Sequence, residues 1–237
     1  MARYGLANHV FVCRDKEHIV VLDVKQDRYF SLDAARTAVL SPLLPGWPAQ
    51  EIAASATGET AITAEAAAAP LLSQGWLLET PAGKEATPVQ PSPAELEIIT
   101  DVEAPAKLGV RIVIAFLTAS LFAKFALRFW RFERIIRRVS RRRAKYVVAG
   151  TPPDIEGARR LVDTFYRLRV FLFASREKCL YDSLAMLEFL ARYGFFPGWV
   201  FGVRALPFAA HCWVQYGDTV CNDTVEHVRG YTPIMLV

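Results

Sequence analysis

The segment from Thr80 to Pro105 constrains the fold most, because it contains five prolines and few large apolar residues. Proline has no amide N–H to donate within a helix or a central strand, so this composition is typical of a linker. A chain of 237 residues suits one large domain or two small ones. We therefore predict two domains, 1–80 and 106–237, joined by a Pro-rich linker at 81–105.

Residues 1–80 combine short strand patterns with helical ones. Runs rich in Val, Ile or aromatic residues predict three strands, at His9–Cys13, Ile19–Asp23 and Arg28–Leu32. Capping residues and apolar spacing predict three helices, at Ala34–Leu44, 48–56 and Ala61–Ser73. Three strands and three short helices resemble a winged-helix unit, so we expect an α+β fold for this domain.

The C-terminal domain reads as helices followed by strands, which is again α+β. Apolar residues at three- and four-residue steps predict one long helix from about Ala106 to Tyr146, and two more helices follow, at Asp154–Phe173 and from Ser175 to Gly194. Shorter alternating runs then predict a small antiparallel sheet, with strands at Trp199–Ala205, Ala210–Tyr216 and Thr219–Thr224.

The positive charge is concentrated in one segment. The net charge is +4, but Lys124 to Lys145 holds ten of the 28 Lys and Arg residues and a single acid, Glu133. The simplest interpretation is an amphipathic helix with one face packed and one solvated. The open alternatives are contact with an acidic partner, with an anionic membrane surface or with nucleic acid.

Targeting and cofactor signals are few. The N-terminus lacks the pattern of a secretory signal, and the apolar run Ile112–Ala123 is shorter than a bilayer requires, so we expect a cytoplasmic protein, with peripheral membrane contact left open. The four cysteines form no CxxC pair, and we expect free thiols. His9, His18 and His227 lie in no ligand spacing and no P-loop is present, so we expect neither metal nor cofactor.

One cysteine, one histidine and one aspartate follow each other in an order that has a mechanism. Cys179 falls in the first turn of a predicted helix, where the helix dipole stabilises a thiolate. His211 on a following strand can act as base and acid, and Asp223 on the next can orient the imidazole. Each residue alone has an ordinary interpretation, a buried thiol or a turn aspartate, so the triad depends on all three together.

The C-terminal sequence resembles a known family. The stretches KCLYDSLAMLE and FFPGWVFGVRALPFAAHCWVQYGDTVCND are similar to the leader-peptidase domain of lasso-peptide B proteins, which are transglutaminase-like, papain-like cysteine proteases. The resemblance covers about 106–237. It implies that Cys179 is the nucleophile, His211 the base and acid, and Asp223 the orienting carboxylate. Cys212 departs from the family, which usually has alanine there.

The N-terminal domain resembles the PqqD-like recognition element of the same family, through RYFSLDAARTAVLSPLLPG and LLSQGWLLE. The resemblance implies that a precursor's leader segment adds as a strand to the sheet edge and packs against the third helix. The residues expected to line that groove are Arg28, Tyr29, Phe30, Ser31, Leu32, Leu71 and Leu72. An ordinary core role is the alternative for each apolar one.

Together these features predict a cysteine peptidase that removes the leader from a lasso-peptide precursor. The resemblance implies a partner, an asparagine-synthetase-like cyclase that uses ATP, while this chain needs no cofactor. Docking of that partner or of a membrane surface is expected at the basic segment 124–145, and nucleic acid is not expected. Two rivals stay open, a winged-helix nucleic-acid-binding or adaptor protein and an acyltransferase that uses the same triad.

Overall fold

A computed structural model describes residues 3–49, 62–80, 82–98, 109–147, 155–169 and 179–237. The chain divides into two compact units. One comprises Met1–Gln90, Gly202–Ala210 and Tyr231–Met235, and the other comprises Pro91–Phe201, His211–Gly230 and Leu236–Val237. Both units are built from discontinuous segments, which a division along the sequence does not express.

The first unit contains the three strands expected from the sequence. β2 (Val10–Asp15), β3 (His18–Asp23) and β4 (Arg28–Asp33) form an antiparallel sheet in that order. The β2–β3 turn is tight, and Lys16 adopts a positive φ of 55° within it. A further two-stranded sheet, β1 (Tyr4–Leu6) with β5 (Leu77–Glu79), was not predicted.

The helices of this unit are shorter than predicted. α1 (Ala34–Thr37) is capped by the Asp33 carboxylate and continues as a 3₁₀ turn over Ala38–Leu40, so the helix predicted to reach Leu44 ends early. α2 (Ala64–Ser73) begins where the Thr63 hydroxyl accepts the Ala66 N–H. The predicted helix over 48–56 falls almost wholly outside the described residues. The winged-helix likeness stays a prediction.

The described part of the predicted linker, 82–98, is paired at two places. Leu6 and Lys84 exchange backbone hydrogen bonds of 2.7 and 2.8 Å. Further along, β6 (Leu96–Glu97) runs parallel to β9 (Thr219–Val220). A linker composition therefore coexists here with regular backbone pairing.

The long helix predicted from Ala106 to Tyr146 is two helices, α3 (Val110–Phe129) and α4 (Phe132–Val147). The chain turns at Trp130, whose backbone is extended (φ −102°, ψ 151°). No proline or glycine marks the break. Trp130 instead packs its ring against Phe122, at a centroid distance of 5.4 Å, and Arg134 lies over the Trp130 ring. The helix therefore ends although the apolar period of the sequence continues, and the aromatic packing of Trp130 accompanies the break.

α3 is long and apolar enough to cross a membrane by length and composition alone. The apolar run Ile112–Ala123 is shorter than this helix, because Arg111 and Lys124, which bound the run, lie inside the helix. An apolar helix packed in a soluble protein passes the same test, so a soluble protein remains compatible with this finding.

The rest of the second unit forms the frame of the site. α5 (Ile155–Arg169) and the largely buried α6 (Cys179–Leu190) pack together and against α3. Phe116, Phe165 and Phe189 form the aromatic centre of this packing.

A five-stranded sheet follows in the order β10-β7-β8-β9-β6. Its remaining strands are β7 (Gly198–Arg204), β8 (Ala209–Tyr216) and β10 (Thr232–Leu236). The strand predicted over Thr219–Thr224 ends at Val220, and the Asn222 and Asp223 side chains that follow bond other segments, at Val214 and Ser183 and at His211. Asp223 therefore lies in a bend before the short helix α7 (Val225–Val228), and not on a strand.

Candidate active site

Cys179 is the first described residue of α6, whose described part runs from Cys179 to Leu190. A thiol in the first turn of a helix, which is the position that the sequence predicts for Cys179, lies near the positive end of the helix dipole, and that favours the thiolate. The N-cap predicted at Ser175, together with Arg176 and Lys178, lies outside the described residues. The Cys179 thiol is only partly buried, whereas Cys13, Cys212 and Cys221 are buried.

His211 stands on β8 and reaches both of its predicted partners. Its Nε2 forms a short hydrogen bond with Oδ2 of Asp223, and its ring also hydrogen-bonds Cys179. Since Nε2 is occupied by the carboxylate, Nδ1 is the nitrogen left for the thiol. Trp213 lies nearly parallel to the imidazole, with ring centroids 6.0 Å apart, and limits its rotation. The structure thus brings Cys179, His211 and Asp223 together.

The pKa values of Cys179 and His211 favour a thiolate on the cysteine and an imidazolium on the histidine. The Cys212 thiol lies within hydrogen-bonding reach of both Cys179 and the Ser183 hydroxyl, the latter at 3.8 Å. Its interaction with Cys179, helped by the Cys212 amide and by His211, lowers the pKa of Cys179 to about 4 against the opposing effect of burial. Burial disfavours the charged imidazole, but hydrogen bonds with Asp223 and Cys179 outweigh it and raise the pKa of His211 to about 9. Between these values the ion pair is the resting form.

His227 is a second histidine on the same carboxylate, and the sequence reasoning missed it. Its Nδ1 lies 3.0 Å from Oδ1 and 2.9 Å from Oδ2 of Asp223, and its ring centroid is 4.7 Å from that of His211. Burial tends to raise the pKa of Asp223, but hydrogen bonds from His211, His227 and the Thr224 N–H lower it overall. The four-residue spacing from Asp223 across the start of α7 is the signal that could have revealed it.

A buried polar network fixes α6 against β8. The Asn222 side chain accepts the Val214 N–H at 2.6 Å and donates to the Ser183 hydroxyl at 2.9 Å. That hydroxyl donates to the Cys212 carbonyl at 3.2 Å. Asn222 therefore sets the distance between the helix that carries the nucleophile and the strand that carries the base.

Cys179, His211 and Asp223 line a cavity of about 430 Å³, whose walls also include Arg169 and Asp182. The Arg169 guanidinium donates to Asp182 at 2.9 Å. Burial raises the pKa of Asp182 to about 6, although Arg169 and Asn222 oppose it. The cavity therefore offers a partly buried ion pair beside the nucleophile, which the sequence did not indicate.

A metal ion is the alternative use of this cluster. His211, Asp223 and His227 present ligand atoms within 4.8 Å of one another. Both histidines, however, hydrogen-bond the carboxylate directly, so their arrangement fits a proton-sharing network without an ion. The expectation of no metal stays a prediction.

The residues predicted to bind a leader lie in the first unit. β4 is an edge strand of its sheet, with Arg28 and Ser31 exposed and Tyr29, Phe30 and Leu32 half-buried. Phe30 packs on Trp76. On α2, Leu71 lies in the hydrophobic core whereas Leu72 is exposed. Within the described residues β4 is thus the last strand on its side of the sheet, and Leu71 takes the core role left open for it.

Residues 119–236 match the family model of the transglutaminase-like superfamily. Comparison with curated proteins gave no match, and comparison with solved structures gave none either. The matched range contains the whole Cys179, His211 and Asp223 site. The superfamily includes cysteine proteases and acyltransferases, which fits this site. Residues 119–236 of this chain therefore form a domain of the transglutaminase-like superfamily.

Proposed function

We propose that this protein is a cysteine peptidase that removes the leader from a ribosomally made lasso-peptide precursor. The observation that carries the catalytic part is the contact of Cys179 with an imidazole that Asp223 holds from its other nitrogen. The leader and the lasso class rest on the sequence resemblance described above. The superfamily match supports cysteine-dependent acyl chemistry more generally.

Catalysis would proceed in two steps. The Cys179 sulfur attacks the scissile carbonyl, and the His211 imidazolium gives its proton to the leaving amine as the C–N bond breaks, which leaves a thioester. Neutral His211 then takes a proton from water, whose oxygen attacks the thioester carbonyl, and the C–S bond breaks to release the acid and restore the thiolate. Asp223 stabilises the imidazolium in both steps. The Cys179 N–H supplies one oxyanion donor.

The N-terminal unit would capture the leader. β4 offers backbone donors and acceptors at a sheet edge, which is what strand addition requires. Residues 1–100 carry seven basic and twelve acidic side chains, so a basic leader would be favoured. The released core would pass to an asparagine-synthetase-like cyclase, which would use the ATP, while this chain would act without a cofactor.

The acyltransferase is the second candidate, because the thioester that Cys179 forms can be resolved by an amine as well as by water. The choice between the two is a matter of which nucleophile reaches the thioester carbonyl. The product mass decides it, since transfer joins two peptides whereas hydrolysis adds one water.

The experiment is incubation of the full chain with candidate precursor peptides, followed by mass spectrometry. We expect two fragments whose masses sum to the precursor plus one water. The Cys179→Ala variant should lose activity on the order of 10⁴-fold or more. Cys13→Ala, which alters a buried thiol in β2, is the matched control and should retain it. Cleavage retained by Cys179→Ala would contradict the proposal.

The same variants distinguish the peptidase from a nucleic-acid-binding protein. If the protein acted by binding DNA, the Cys179→Ala variant would keep its function, and the affinity for DNA would fall steeply as the salt concentration is raised. We expect no such binding. A DNA complex with a steep salt dependence and no cleavage product would favour the rival.

A further inference from the structure

The outer face of α3 carries exposed apolar side chains along its whole length. These apolar positions recur at three- and four-residue steps, which places them on one side of the helix. They are Val110, Ile114, Leu117, Leu121, Phe125 and Phe129, hereafter the outer stripe. A helix of 20 residues is about 30 Å long, so the stripe is a row of large apolar groups of about that length. Patches of this size mark contact surfaces.

The opposite face of α3 is already in use. Phe116 meets Phe165 and Phe189 at ring-centroid distances of 5.3 and 6.3 Å, and the Tyr181 hydroxyl donates to the Ser120 carbonyl at 3.1 Å. The helix is therefore held on α5 and α6 while the outer stripe faces away from them. A helix anchored in this way cannot be surrounded by lipid, so it would lie on a bilayer and not across it.

Basic side chains accompany the stripe. Lys124 and Arg128 line a groove of about 610 Å³ together with Leu121, Phe125 and Phe129. Over 109–147, a range that the structure describes throughout, the sequence has a single acidic residue, Glu133, and it pairs with Arg137. Apolar groups flanked by cations fit an anionic lipid surface, because the long basic side chains reach the headgroups while the apolar ones enter below them.

We propose that the outer stripe of α3, with Lys124 and Arg128, docks this protein on the surface of a bilayer that contains anionic phospholipids. A second copy of the chain fits less well, since pairing two stripes about a two-fold axis would bring cations against cations. The inference does not depend on the proposed peptidase activity, because docking involves neither Cys179 nor a precursor.

The test is co-sedimentation of the full chain with vesicles of phosphatidylcholine, with or without phosphatidylglycerol. We expect binding to the anionic vesicles, weaker binding at high salt, and much less binding to phosphatidylcholine alone. Replacing both Lys124 and Arg128 by Gln should weaken binding by about 25-fold, at about fivefold per cation.

A matched pair of double variants tests the apolar part. Leu121→Ser with Phe129→Ser changes residues that are 65% and 66% exposed, and Leu206→Ser with Phe208→Ser changes residues that are 63% and 55% exposed elsewhere. We expect the first to lose binding at least tenfold and the second to bind as the parent does. Alkylation of Cys179 at acidic pH reports whether each variant retains a folded site.

Several results would overturn the proposal. These are failure of the parent to bind anionic vesicles, equal loss in both double variants, or binding that resists extraction by salt and alkali as a spanning helix does. Self-association that the Leu121 and Phe129 changes abolish, without vesicle binding, would assign the stripe to a second copy. Binding that persists after the stripe changes and vanishes only with the cations would show that the apolar face has no role.

Discussion

The thiol of Cys212 is predicted to control the acidity of the nucleophile. It stands next to His211 on β8, is buried, and makes the largest contribution to lowering the pKa of Cys179 from 9.0 to about 4. The proton it donates is retained at working pH, because burial and the neighbouring thiolate raise the pKa of Cys212 itself. One thiol is thereby kept protonated so that the other can ionise.

Replacing Cys212 by alanine removes this donor and leaves the backbone amide in place. A hydrogen bond to a charged acceptor contributes about 1.5 to 3 kcal/mol. Each unit of pKa corresponds to about 1.4 kcal/mol, so the pKa of Cys179 should rise by about 1 to 2, to about 5 or 6. The pKa of His211, which is about 9, should change little, because the hydrogen bond of its imidazole to Asp223 remains.

Alkylation by iodoacetamide against pH measures this without a substrate. Only the thiolate reacts, and burial raises the pKa of Cys13 and of Cys221 to about 12, so reaction below neutral pH reports Cys179. We expect the pH at which the alkylation rate of Cys179 rises to be higher in Cys212→Ala and unchanged in the control Cys13→Ala. An unchanged dependence of the alkylation rate on acidic pH in Cys212→Ala, with the fold intact by circular dichroism, would refute this account of the thiolate.

Three further predictions concern its neighbours. Asp223→Asn should lower kcat/KM by about 10² to 10⁴, since the catalytic imidazolium loses its counter-charge, and steady-state kinetics on a cleaved precursor checks this. His227→Ala should raise the pKa of Asp223 and so lose activity mainly at acidic pH, and His227→Asn, which keeps a donor, should restore the pH profile. Arg142→Gln should lower the free energy of unfolding by about 2 kcal/mol, because it weakens the pairing of buried Glu188, whereas exposed Arg141→Gln should change it little in urea titrations.

The sequence predicted best those features that local chemistry determines. The strands β2, β3 and β4 follow from runs rich in Val, Ile or aromatic residues, and their bounds agree with prediction within about two residues. A helix that contains Cys179, and the order of Cys179, His211 and Asp223, were likewise visible, because helical spacing and motif order are properties of the chain itself.

Features that depend on distant contacts were not visible. The break at Trp130 occurs where its ring packs on Phe122 and lies under Arg134, and nothing in the local composition favours a turn there. β6 forms in a proline-rich segment because residues after β8 supply a partner strand. His227 joins the site through the bend at Asp223, which a strand prediction for that residue had hidden.

The basic segment shows why charge along a sequence does not locate a surface. Two of its arginines, Arg138 and Arg142, reach the buried carboxylate of Glu188 on α6, at 3.3 and 2.6 Å. That carboxylate would be costly without them, so these charges support the helix that carries the nucleophile and are withdrawn from any partner. The sequence assigned docking to the whole of 124–145 because it counted every cation equally. Of the exposed cations, Lys124 and Arg128 are the two that occur together with apolar side chains, on the outer face of α3, and this directs the candidate surface to that face.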